Sequence, residues 1–321
     1  MLDSKNVKSV LHTRNKHRNS YDFKQLIISC PELAEYVLIN KYGNESIDFF
    51  NPKAVKVLNK SLLKHFYGIG NWDIPNNYLT PPIPGRADYI HYIADLLAKS
   101  NFGKIPKGNN IKCLDIGVGA NCIYPIIGKS EYGWSFIGSE IDSISIKSAN
   151  RIIESNPILK GNINIRLQQY PNDIFNGIIK KGEFIDVTIC NPPFHSSAAE
   201  AEAGSIRKLS NLRKQSISKA TLNFGGKNSE LWCKGGEKRF IKNMIIQSKE
   251  LATSCFWFTT LVSKESKLHS IKKLLQKVEV VDVKMIPMSQ GNKTSRIVAW
   301  TYLTDTDKKN WVDNRWLSTT K

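Results

Sequence analysis

Cys113-Leu114-Asp115-Ile116-Gly117-Val118-Gly119-Ala120-Asn121-Cys122 decides the fold. An apolar strand runs into an acid, then Gly-x-Gly, then a helix-compatible segment. The glycines permit a tight turn and let a ligand approach the backbone closely. Cys122 stands where the dinucleotide fingerprint G-x-G-x-x-G requires its third glycine, so that fingerprint is incomplete. The next strand, Trp134-Ser135-Phe136-Ile137-Gly138-Ser139, ends at Glu140. An acid there, 25 residues after Asp115, is placed to bind two ribose hydroxyls.

Outward from this stretch, strand and helix patterns alternate. Strands are expected near 111–116, 134–139, 163–168, 184–190, 254–262, 278–286 and 296–303. Helices are expected near 121–128, 143–155, 173–181, 236–251 and 264–276. The alternation predicts a doubly wound, mainly parallel α/β sheet with helices on both faces. Ligands of such sheets sit at strand carboxyl ends, and Gly117, Glu140 and Asn191 all fall there.

Asn191-Pro192-Pro193-Phe194 follows the buried strand 184–190. The Asn191 side-chain oxygen can accept a hydrogen bond from a planar amine. Pro192 lacks an N–H and has a fixed φ, so its carbonyl can be aimed at the second amine hydrogen. Phe194 can stack on the ring that carries the amine. Alone, the tetrapeptide reads equally well as a turn after a strand.

Forty-one per cent hydrophobic residues in 321 are enough for a substantial core and exclude a disordered chain. A net charge of +18 points to a polyanionic partner. The six cysteines include no C-x-x-C pair, and several lie in apolar strands. That usage fits reduced thiols of a cytoplasmic protein and argues against a disulfide scaffold or a metal site. No apolar run reaches the ~18 residues of a membrane span, so no membrane partner is expected.

Four regions are expected. Residues 1–20, with Arg14, Lys16 and Arg18, read as a flexible basic arm, and 21–100 as a helical region. Residues 101–305 form the catalytic domain, and 306–321 a C-terminal tail. Pro81-Pro82-Ile83-Pro84-Gly85-Arg86 reads as a stiff extended lead into a helix from Ala87 to Lys99. The stretch 195–230 is long, weakly periodic and basic, and reads as a loop that grips substrate.

The chain resembles class I S-adenosyl-L-methionine-dependent methyltransferases. More narrowly, it resembles the bacterial large-subunit ribosomal RNA adenine-N6 methyltransferases of the RlmF type, relatives of the methyltransferase-like 16 proteins. The segments carrying this are Tyr42–Phe49, Pro81–His91, Asp115–Pro125, Asn191–His195 and Leu222–Gly226. The resemblance implies a seven-stranded class I methyltransferase sheet with an N-terminal helical extension, residues 21–100, that covers the cofactor and binds RNA. It implies S-adenosyl-L-methionine held by Arg86, Asp115, Gly117, Gly119 and Glu140, with Asp173 as a further polar contact. It implies catalysis by Asn191, Pro192 and Phe194 on one adenine of 23S ribosomal RNA, conventionally numbered 1618, in the RNA or in a large-subunit assembly intermediate. A monomer is expected. Residues 195–197 read His-Ser-Ser, where an acid is expected in the middle. A DNA adenine methyltransferase, a protein-glutamine methyltransferase and a non-catalytic RNA-binding module are the competing readings.

Overall fold

The computed structural model describes residues 11–197, 199–200, 231–290 and 293–317. Most of the expected loop, and the segment 222–226, lie outside them.

Seven strands form one sheet in the order β5-β4-β3-β6-β7-β9-β8. They are β3 (Lys112–Ile116), β4 (Ser135–Glu140), β5 (Ile163–Leu167), β6 (Ile185–Cys190), β7 (Cys255–Val262), β8 (Asp282–Gln290) and β9 (Lys293–Thr301). The first five are parallel, and β9 inserts antiparallel between β7 and β8. Pro287 falls in the edge strand β8, where its missing N–H disrupts the sheet least. Neighbouring residues alternate between faces, so Cys113 packs in one buried cluster and Leu114 in the other. The chain leaves β3 towards β4 and β5, then returns on its other side as β6. The crevice at the carboxyl ends of β3 and β6 is therefore the topological switch point.

Helix α5 (Ser143–Glu154) matches its expected span to within a residue, and α4 (Ile123–Tyr132) starts two residues later than expected and runs four residues further. The helix expected over 173–181 is absent. Residues 171–182 run as turns and bends, held by Gln247, whose side-chain oxygen accepts the Ile174 N–H and whose amide donates to Asn172 O.

The N-terminal region is not uniformly helical. Between α1 (Phe23–Ser29) and α2 (Pro52–Tyr67) lies an antiparallel ribbon of β1 (Val37–Ile39) and β2 (Glu45–Ile47). Helix α3 (Ile83–Lys99) begins one turn earlier than expected. Proline is tolerated in a first turn because its missing N–H has no partner there, so Pro84 and Arg86 are already helical.

Residues 11–20, expected in a flexible basic arm, are instead strapped onto α3. The His12 N–H and the Asn15 amide both donate to Asp88, and Arg14 pairs with Asp95 at 2.6 Å. Lys16 pairs with Glu131 at 2.8 Å. His12, Asn15 and His17 are buried.

Much of the expected C-terminal tail is core. Helix α7 (Asp305–Trp311) opens with a capping box between Thr304 and Asp307. Trp311 and Trp316 are buried, and both indole N–H groups donate to Asp186, at 2.7 and 2.6 Å. Asp186 also accepts the Lys112 N–H, which ties this segment to the start of β3 and β6.

Candidate active site

Register assembles the site. Ile116 pairs with Ser139 on one side and with Cys190 on the other. The residues that follow, Gly117, Glu140 and Asn191, therefore stand in one row across three strands.

Gly117 and Gly119 adopt φ of 75° and 66°, values that favour glycine. The turn folds back onto β4, with the Gly117 and Val118 N–H groups donating to Ser139 O. A Cβ on Gly138 would stand 3.1 Å from that of Val118 and 2.8 Å from the end of the Ile165 side chain, so glycine lets the turn lie close against β4. Cys122, in place of the third fingerprint glycine, takes a left-handed φ of 53° at the start of α4. The turn is thus kept at a conformational cost to a non-glycine residue.

Glu140 is 8% exposed. Its Oε2 accepts the Gly119 N–H at 2.9 Å, and its Oε1 accepts those of Ile141 and Asp142. Burial raises its carboxyl above the ordinary range, and the three N–H donors partly offset this. Asp142 caps α5 and accepts the Tyr78 hydroxyl at 2.5 Å.

One cleft is lined by Arg86, Gly117, Gly119, Glu140, Asp173 and Asn191, which brings six of the predicted residues together. Asp115 is not on its surface. It lies behind the glycine turn, 1% exposed, and neither carboxylate oxygen has a hydrogen-bond partner among the described residues. Burial pushes the Asp115 carboxyl up to about 8, against the pull of Arg86. Pro192 is buried, and Phe194 is 42% exposed. From this loop only Asn191 and Pro193 line the cleft.

Arg86 donates to the Tyr124 hydroxyl at 2.9 Å, and Tyr124 shares the cleft wall. Behind Asn191, the Tyr89 hydroxyl accepts the Cys190 N–H at 3.3 Å and bonds Thr259 at 2.8 Å. The proline-rich segment that opens α3 thereby supplies both a cleft cation and a support for the end of β6. The Asn191 Oδ1 is buried without a partner among the described residues.

Gln168, Trp232, Cys233 and Phe240 are among the lining residues that escaped the sequence reading. Gln168 follows β5, and its Oε1 accepts the Tyr170 N–H while its amide donates to Asn176 O. The rule that identified Glu140, a polar residue closing a parallel strand, also selects Gln168. Trp232, Cys233 and Phe240 come from the chain leading into and forming α6 (Gly236–Ser248), far from the strand ends in sequence. Glu237, 1% exposed, accepts the Ser263 N–H and pairs with Lys267, which fixes α6 beside the end of β7. Lys238, Arg239 and Lys242 are exposed on α6 around a groove of their own.

A family model described as RNA methyltransferase matches residues 5–304. The chain is 58% identical over 310 residues to the ribosomal RNA large subunit methyltransferase F of Cytophaga hutchinsonii, covering 97% of this chain and 96% of that protein. It is 53% identical over 325 residues to the protein of the same name from Photobacterium profundum, covering 96% of each. The human METTL16 catalytic domain in complex with MAT2A 3′UTR hairpin 1 is similar in structure, with TM-score 0.77 and 28% identity, over 92% of this chain and 96% of that one. The N-terminal domain of human METTL16 in complex with SAH gives TM-score 0.72 and 26% identity, over 92% and 100%.

Proposed function

Since the chain belongs to this RNA methyltransferase family, we propose that it transfers a methyl group from S-adenosyl-L-methionine to the N6 of a single adenine in 23S ribosomal RNA. The observation that carries the reading is the buried, unpartnered Asn191 Oδ1, in register with the glycine turn and Glu140. The identity of 53% and 58%, over 96% or more of this chain, with relatives named for the large-subunit ribosomal RNA supports the substrate class.

The residues of the cleft suit the cofactor. Glu140 offers a carboxylate to ribose hydroxyls, and Gly117 and Gly119 leave room for the ligand at the backbone. The Arg86 guanidinium complements a carboxylate. Gln168 and Asp173 offer polar contacts beside the apolar Ile141 and Ile174, a combination that fits a nucleobase. When bound, the cofactor supplies an electrophilic methyl group.

The adenine N6 lone pair is delocalised into the ring and is a poor nucleophile. Asn191 Oδ1 and the Pro192 carbonyl accept the two N6–H bonds, which favours a pyramidal, more nucleophilic nitrogen. Phe194, half-open to solvent, stacks on the base and offsets part of the cost of flipping it out. The proton leaves to water, so positioning and electrostatics supply most of the rate. Lys238, Arg239 and Lys242 of α6 lead phosphates towards the cleft.

The test is nuclease digestion and mass spectrometry of 23S rRNA from a strain lacking the gene, with and without the gene restored. N6-methyladenosine at one position should appear only on restoration. An unchanged methylation pattern would refute the reading.

A further inference from the structure

Trp232 presents a buried hydrogen-bond donor that the mechanism above leaves unused. Its indole Nε1 is screened from solvent and has no partner among the described residues. The side chain lines the same cleft as Asn191. Its position is set by the catalytic loop itself. The His195 N–H donates to Leu231 O, and the Cys233 N–H donates to His195 O, each at 3.1 Å. This bridge sets the Trp232 backbone against the residue that follows Phe194. An unpaired indole N–H buried in protein is destabilising unless a ligand satisfies it.

Two residues that line one cleft therefore carry buried atoms of opposite polarity without a partner among the described residues: the Asn191 Oδ1 acceptor and the Trp232 Nε1 donor. An edge that fits both presents an exocyclic N–H beside a ring nitrogen that accepts. Adenine has this pair on either side of N6, with N1 or with N7. At the same edge guanine puts a carbonyl where the amine belongs, which would leave Asn191 facing a second acceptor, and its own amine, N2 beside N3, lies on the opposite edge next to the sugar. Cytosine carries the same pair on a smaller ring.

We propose that Trp232 determines base specificity, donating its indole N–H to the ring nitrogen beside the target amine while Asn191 accepts from that amine. This deepens, and rests on, the reading of the site as an adenine methyltransferase. Trp232 carries no step of the methyl transfer. It orients the amine and rejects bases whose edge reverses the donor and acceptor.

The experiment uses the full chain and an RNA containing the target adenosine, its 1-deaza analogue or its 7-deaza analogue. In the wild type, one analogue should lose roughly three- to thirtyfold in kcat/KM and the other little, which identifies the contacted nitrogen. Trp232→Phe should lose a similar factor on adenosine and nothing further on the sensitive analogue. Its S-adenosyl-L-methionine affinity by calorimetry should stay within about twofold of wild type. Equal wild-type rates on all three RNAs overturn the proposal, and this arm needs no variant to fold. A cofactor affinity that falls in step with turnover in Trp232→Phe also overturns it, because the N–H then serves the cofactor. Wild-type protein that binds cofactor yet leaves unmodified adenosine untouched overturns the functional reading as well.

Discussion

The Tyr89 hydroxyl lies 3.3 Å from the backbone nitrogen of Cys190, the residue before Asn191, and 2.8 Å from the Thr259 hydroxyl. One buried phenol thus joins α3 to β6 and β7 directly behind the loop that begins at Asn191. Tyr89→Phe should cost about 1–3 kcal/mol in urea unfolding, since it leaves a buried N–H without its partner. Turnover should fall while cofactor affinity holds, because Asn191 is displaced and Glu140 is not. Unchanged kcat with lowered stability would confine Tyr89 to a packing role.

Glu140→Ala should weaken cofactor binding by about 1.5–3 kcal/mol, the scale of a charge-assisted contact, and leave RNA affinity unchanged. The variant also frees the N–H groups of Gly119, Ile141 and Asp142, so some loss of thermal stability should accompany it. Calorimetry reads the first effect and a melting scan the second. Wild-type cofactor affinity would remove Glu140 from the binding site.

Asp115 gives the ligand-free protein a defined pH dependence. Its folded carboxyl is raised to about 8 by burial, and an unfolded aspartate titrates near ~3.9. The folded state therefore binds more protons in that window. The Asp115 contribution is fully present below the unfolded value and is lost as pH rises through the folded one. Asp115→Asn cannot ionise, so its stability relative to wild type should climb from about pH 4 to 8 and then level off. Denaturant midpoints across that range test this, and a constant difference would contradict it.

Neutralising Lys238, Arg239 and Lys242 should lower the log–log salt slope of RNA binding by up to about 2, at roughly 0.7 per phosphate contact on a single strand. Turnover at saturating RNA should change little. Arg14 and Lys16 are a different case, because their charges are paired with Asp95 and Glu131. Replacing them should loosen the strap on α3 and lower stability. Identical slopes for the α6 triple variant and the wild type would place the RNA path elsewhere.

What was legible in the sequence was local. Asp115 to Cys122, Glu140 and Asn191 announce themselves because a parallel strand, its end and its turn occupy consecutive residues. What was missed depends on partners far away. Residues 11–20 look like a solvated arm until Asp88 and Asp95, 73 or more positions on, accept their hydrogen bonds. Trp311 and Trp316 look like tail until Asp186 gathers both indoles. The segment 173–181 has helical spacing, but Gln247 holds its backbone in turns. Asp115 was expected among the ligand contacts because it opens the motif, yet its side chain lies behind the turn. Trp232 follows a long stretch without periodicity, so nothing near it in sequence links it to Asn191.

The most direct measurement is single-turnover methyl transfer from labelled S-adenosyl-L-methionine to unmethylated 23S rRNA, by the wild type and by Asn191→Ala. Nucleoside mass spectrometry identifies the product, and calorimetry checks cofactor binding in both proteins. The account predicts N6-methyladenosine at one adenine from the wild type. It predicts a loss of at least about 100-fold in Asn191→Ala with cofactor affinity nearly intact. Label on another atom or base, or an Asn191→Ala rate within about tenfold of wild type, would contradict it.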